Sequence, residues 1–169
     1  MMANKCKIHF NEFIFVSKLE KMTEVIFKEY NFRIEDREGK KFIFDQVRKK
    51  FVALTPEEWV RQHILHYLIY DKNYSKSLIA VERGIELNGL QKRFDMVVFG
   101  NEGKPKMIIE CKASSEKLDE KVFAQIARYN LSLQVDYLWV TNGEKNFCCK
   151  LKDGIQLLNE IPAYENLLI

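Results

Sequence analysis

Apolar and polar positions alternate clearly from Phe42 onward, and the period of the alternation changes several times along the chain. FIFD and KFVAL lie either side of QVRK and read as a small hairpin with a basic tip. Thr55-Pro56-Glu57-Glu58 then supplies a helix start, with Thr at the N-cap, Pro at the first helical position and Glu at the third. Trp59, Val60, Ile64, Leu65, Tyr67 and Leu68 recur at helical spacing and carry that helix to about Tyr70. SLIAVERGIEL and LQKRFDMVVFG flank Asn88-Gly89, a strong hairpin signal. A second turn, from Gly100 to Pro105, leads into KMIIECKA, so an antiparallel meander of three strands is expected. LDEKVFAQIARYNLSLQ has the helical period, DYLWVTNG is an apolar strand, and KNFCCKLKDG is another after a turn at Asn142-Gly143. The order is α–β–β–β–α–β–β, one α/β domain over residues 31–169. Residues 1–30 form a poorly assigned N-terminal extension, and the apolar tail IQLLNEIPAYENLLI takes no assignment.

Composition changes this picture little. The chain has 169 residues, of which 47% are hydrophobic and 30% charged, enough for one core but not for a motor or a multidomain synthase. A net charge of +3 permits an anionic partner without requiring one. The four cysteines lack CxxC spacing. Cys148 and Cys149 are adjacent, and in a strand they would point to opposite faces as small apolar side chains. His63 and His66 stand three apart, with no cysteine or third histidine nearby to complete a zinc site. No apolar run approaches a membrane span, and the first residues lack a signal-peptide core, so a cytoplasmic protein is expected.

The chemistry concentrates in the middle. Asp95 and Glu110 sit inside strongly apolar strands, where an acid is costly unless compensated. A turn centred between Glu102 and Gly103 sets Asp95 directly opposite Glu110, with Cβ atoms about 4.5–5.5 Å apart on one face. Two like charges so placed call for a cation, and oxygen donors with water suit Mg²⁺. Lys112 returns to the same face two residues on, while Cys111 points away. Beside a bound cation, Lys112 could orient or deprotonate a water, which would make the site hydrolytic and a phosphodiester the matching substrate. Spacing supports equally well a second reading, in which Lys112 is the salt-bridge partner of Asp95 or Glu110.

Asp95, followed after fourteen residues by Glu110-Cys111-Lys112 on the next strand, resembles the PD-(D/E)xK nuclease signature, with Phe94 in place of the usual proline. Gln125 and Tyr129 in AQIARYN match the QxxxY element that some of these nucleases carry on the following helix. The ordered text TPEEWVRQHILHYLI, KSLIAVERGIELNGLQKRFDMVVF, IIECKA, QIARYN and YLWVTNG is similar to the nuclease domain at the N-terminus of type I restriction enzyme R subunits, particularly its short stand-alone relatives. The resemblance runs from about Phe32 to Asp153.

It implies a restriction-endonuclease-like core, a central mixed sheet flanked by helices, and a Mg²⁺-dependent nuclease acting on DNA, with Mn²⁺ as a substitute. By that resemblance Asp95, Glu110 and the backbone carbonyl of Cys111 would bind the metal. Lys112 would position the attacking water, and Gln125 and Tyr129 would support Lys112 or contact the nucleic-acid backbone. Family members often add a glutamate from the first helix: Glu57, on the core-facing stripe, is preferred to Glu58, the capping-box position. Arg61 and Gln62 could face the same cleft.

Within the cluster Lys40, Lys41, Arg48, Lys49 and Lys50, offset only by Asp45, Lys49 and Lys50 are candidates for holding a phosphate backbone. Glu82 reads as an exposed charge at a strand end. At 169 residues there is no room for the translocating motor of the R subunits, so other restriction-system subunits are candidate partners. Met22 reads as the more natural start, residues 1–21 then deriving from an upstream codon. The competing class is a non-catalytic module that binds nucleic acid or protein. A subunit that cuts only when docked on a larger restriction complex is a third.

Overall fold

The structure is a computed structural model, and it describes residues 29–87, 89–119, 121–124, 135–152 and 154–167. The hairpin around QVRK belongs to a three-stranded antiparallel sheet, β1 (Ile34–Arg37), β2 (Lys40–Asp45) and β3 (Lys50–Ala53). β1 was not expected, because IEDR offers no apolar alternation of its own and is recruited by pairing with β2. Helix α1 (Pro56–His66) starts as the sequence expects, with Thr55 Oγ1 accepting from the Glu58 amide at 3.0 Å. It then widens into a π-helical turn over Tyr67–Asp71, so the regular helix ends four residues short of Tyr70.

The predicted meander is present but bent. β4 (Ile79–Val81) and β7 (Met96–Phe99) pair within the main sheet, whereas β5 (Gly84–Leu87) and β6 (Leu90–Arg93) form a separate ribbon ending at Gly89. Both ladders keep one register, and the Glu82 amide donates to the Asp95 carbonyl at 2.9 Å between them. Glu82 has φ +48, a left-handed conformation that turns the ribbon away from the sheet. The bend therefore falls at the acid that opens the candidate site.

β8 (Pro105–Cys111) pairs antiparallel with β7 and parallel with β9 (Tyr137–Thr141), and β10 (Asn146–Lys150) and β11 (Gln156–Leu157) follow antiparallel. The six-stranded sheet thus runs β11-β10-β9-β8-β7-β4 and is mixed. Its strands read as apolar runs because both faces are covered. Val60, Ile64, Leu65 and Leu68 pack on the face bearing Met96, Met107, Ile109 and Trp139. Leu118, Phe123 and Val135 cover the other, which carries Val97, Ile108, Leu138 and Val140. Cys148 and Cys149 fall into opposite layers as expected, and both are buried free thiols. The unassigned tail closes the first layer with Ile161 and Leu167. Residues 121–124 are helical and capped by Asp119, whose Oδ1 accepts from the Val122 amide at 3.0 Å. No helix among the described residues is long and apolar enough to cross a membrane.

Candidate active site

The β7–β8 register places Met96 opposite Ile109 and Val98 opposite Met107, which continues to Asp95 opposite Glu110, the expected pair, although the turn itself is centred on Glu102 and not between Glu102 and Gly103. Nearer the turn Phe99 pairs with Pro105, and the bulge between Val98 and Phe99, with Lys106 as the extra residue on β8, shifts the register by the one place that brings Asp95 opposite Glu110. Asp95 is fixed at both oxygens. Its Oδ2 accepts from the Cys111 amide at 2.7 Å, and its Oδ1 accepts from the Arg61 guanidinium at 3.0 Å. Glu110 is mostly buried beside it, and desolvation, reinforced by the Asp95 charge and a hydrogen bond to Asp95, pushes its carboxyl up to about 8. The Lys112 ammonium pulls in the opposite direction and Glu57 adds to the rise, so both charges face Glu110. The Lys112 amide is anchored to the Thr141 carbonyl at 2.8 Å. That end of β9 is tied down in turn: Thr141 Oγ1 accepts from the Gly143 amide at 3.0 Å, and Asn142 Oδ1 accepts from the Lys145 amide at 2.8 Å.

Arg61 is the main addition to the expected picture. It is buried, and its guanidinium pairs with Glu57 at 2.6 Å, Asp95 at 3.0 Å, Glu82 at 3.7 Å, and Glu58. Desolvation opposes the charge, but the surrounding carboxylates outweigh it, with Glu58 foremost, and Arg61 stays firmly protonated. Arg48 joins the same network through Asp45 at 2.8 Å, Glu82 at 2.5 Å, and Glu58. Gln62 Nε2 donates to Asp45 at 2.8 Å and to Glu58 at 2.9 Å.

Several expectations are corrected by this network. Arg61 and Gln62 do not lie open for a phosphate backbone, because their donors are directed inward to carboxylates. Arg48 leaves the exposed basic cluster for the same reason, while Lys49 and Lys50 remain exposed at the hairpin tip. Glu82 is a half-exposed partner of Arg48, Arg61 and Arg93, not a free strand-end charge. Glu58 does not close a capping box, because its carboxylate turns to Arg48, Arg61 and Gln62. Glu57, expected on the core-facing stripe, is instead the more exposed of the two and pairs with Arg61, while Glu58 takes the buried position. Asp45 in the apolar FIFD strand was the signal that could have revealed the network, since a buried acid needs partners. Gln125 and Tyr129 lie outside the described residues, as do residues 1–21.

His63 and His66 do not converge on a metal. The Trp59 carbonyl holds His63 Nδ1 at 2.9 Å and the Gln62 carbonyl holds His66 Nδ1 at 2.8 Å, with His66 Nε2 against Gln46 at 2.7 Å. Burial lowers both imidazoles toward the neutral form.

The donor set at Asp95 and Glu110 fits a hard divalent ion: two carboxylates on adjacent strands, one of them holding a proton, and the Cys111 carbonyl between Glu110 and Lys112. Among the described residues no three Asp, Glu, His or Cys side chains stand gathered as a ready-made cage. The cation beside Asp95 and Glu57 is Arg61 itself.

The family model for the type I restriction enzyme R protein N terminus (HSDR_N) matches residues 56–162, and the chain belongs to that family. With it stands the restriction-endonuclease-like core expected from the sequence. A crystal structure of a candidate nuclease belonging to DUF820, from Anabaena variabilis ATCC 29413, is similar at 12% identity and a TM-score of 0.43, covering 86% of this chain and 84% of that one. No curated protein matches the chain.

Proposed function

We propose that the chain is a Mg²⁺-dependent nuclease that hydrolyses DNA phosphodiester bonds at Asp95, Glu110 and Lys112. The observation that carries the reading is the cross-strand pairing of the half-buried Asp95 and Glu110, with Lys112 two residues further along, within a family of restriction-enzyme domains. Asp95, Glu110 and the Cys111 carbonyl would hold the ion, with Glu57 as the fourth donor. A bound Mg²⁺ would supply Lewis-acid polarisation of the phosphate and lower the pKa of a bound water. Glu110 would have to release its proton for the pair to hold the ion. Lys112 Nζ orients the attacking water and balances charge developing on the phosphate oxygens. The Cys111 amide, by holding Asp95 Oδ2, keeps that carboxylate fixed against β8. Arg61 neutralises Asp95 and Glu57 and keeps the acidic cluster folded between turnovers.

The test is purified full-length protein with supercoiled plasmid in Mg²⁺ or in EDTA, beside Lys112→Ala. Nicking or linearisation that needs Mg²⁺ and is lost in Lys112→Ala supports the reading. Equal cleavage by wild type and Lys112→Ala sinks it. Mn²⁺ binding without cleavage would instead favour a subunit that cuts only when docked on a restriction complex.

A further inference from the structure

The β1–β2–β3 sheet precedes the residues that the family model matches, and its outer face has no part in the acidic site. Strand alternation sends Ile43 and Asp45 inward, both fully buried. Phe42 and Phe44 therefore face outward, joined by Phe51, which pairs with Phe44, and all three rings are only half-buried. Two exposed arginines sit over them. The Arg33 guanidinium sits 4.6 Å from the Phe44 centroid and 5.5 Å from that of Phe51. That of Arg37 sits 4.9 Å from Phe42 and 5.2 Å from Phe51, while bonding Glu35 at 2.8 Å. Lys40 pairs with Arg37 in the ladder, so three cations share this face with one carboxylate. Lys49 is exposed at the β2–β3 tip at the edge of this face, whereas Lys50 pairs with Asp45 in the ladder and belongs to the inner face.

We propose that this face binds single-stranded nucleic acid, with bases stacked on the Phe42, Phe44, Phe51, Arg33 and Arg37 layer and phosphates held by the arginines, Lys40 and Lys49. Exposed guanidinium groups over half-buried rings offer π-surface to an unpaired base and N–H donors to phosphate oxygens. A paired duplex offers only its backbone to such a surface, so the aromatic component selects the single strand. Nucleic acid as the partner class rests on the nuclease reading, but binding is separable from cleavage.

The experiment is fluorescence anisotropy of a labelled 12-nucleotide oligo-dT, the same length of oligo-U, and a 12-base-pair duplex. It is run in EDTA across a salt series, so that no catalysis enters. The variants are the double Arg33→Gln/Arg37→Gln, which leaves the core alone, and Phe44→Leu, with circular dichroism as the folding control. The wild type should bind a single strand more tightly than the duplex. The double variant should weaken that binding at least tenfold and flatten the log–log salt slope by about 1.4, at roughly 0.7 per lost phosphate contact. Phe44→Leu should cost about fivefold or more without changing the slope. Unchanged single-strand affinity in the double variant, or duplex bound as tightly as single strand, overturns the proposal. Single-strand binding as expected, with no Mg²⁺-dependent plasmid cleavage by the same wild-type preparation, would support this proposal and count against the nuclease reading alone.

Discussion

Glu110→Gln in metal-free protein gives the sharpest energetic test of the acidic pair. Burial first, and then the Asp95 charge and hydrogen bond, raise the Glu110 carboxyl from 4.5 to about 8. At 1.36 kcal/mol per pH unit this corresponds to at most roughly 5 kcal/mol between the two protonation states. Because the two acids titrate as a pair, the measurement reads the pair and not one residue. Between about pH 4.5 and 8 the folded protein holds a proton that the unfolded chain has released. Stability contributed here is therefore full below pH 4.5 and declines as pH rises toward 8. Glutamine keeps the shape and cannot ionise, so its stability should lack this decline. Urea unfolding of both proteins at pH 5.5, 6.5, 7.5 and 8.0, without metal, gives the difference directly. His63 and His66, lowered by burial, work in the opposite sense, gaining stability as pH rises toward 6.5, and they cancel in the difference. Wild type should lose a few kcal/mol relative to Glu110→Gln between pH 5.5 and 8.0. A difference constant within about 0.5 kcal/mol, the usual additivity error, would refute the geometry of the pair.

Three further outcomes follow from the same network. Arg61→Gln leaves Asp95, Glu57 and Glu58 without their shared cation and should lower stability at neutral pH by about 3–5 kcal/mol in urea unfolding. Added Mn²⁺ should restore part of that loss in the variant. Thr55→Ala removes the helix cap and should cost about 1 kcal/mol with no change in metal binding. For wild type, Mn²⁺ affinity by calorimetry should rise from pH 6 to pH 8 as Glu110 releases its proton, and Glu110→Gln should weaken it sharply at both values.

The parts of the fold legible in the sequence were those set by local rules. The turn at Gly89 fixes the β5–β6 register by symmetry, whereas Asp95 comes opposite Glu110 only because the bulge between Val98 and Phe99 adds one residue to the symmetry of the turn at Glu102. Helix α1 was announced by Thr55 and Pro56, and the opposed burial of Cys148 and Cys149 followed from strand alternation. What stayed hidden depends on long-range electrostatics. Arg48 and Arg61 look like solvated basic residues in sequence. Only the packing of α1 against the β2–β3 tip and the strand bend at Glu82 turns their guanidinia onto buried acids. That bend was equally invisible, since a positive φ at a glutamate has no compositional signature.

The most direct measurement is conversion of supercoiled plasmid by wild type and Asp95→Asn in one Mg²⁺ buffer. Asp95→Asn keeps the side-chain volume and an oxygen for the Cys111 amide, but removes the charge that pairs with Glu110. The account predicts open-circle and linear products from wild type and intact plasmid from the variant. Cleavage at the wild-type rate by Asp95→Asn would contradict it.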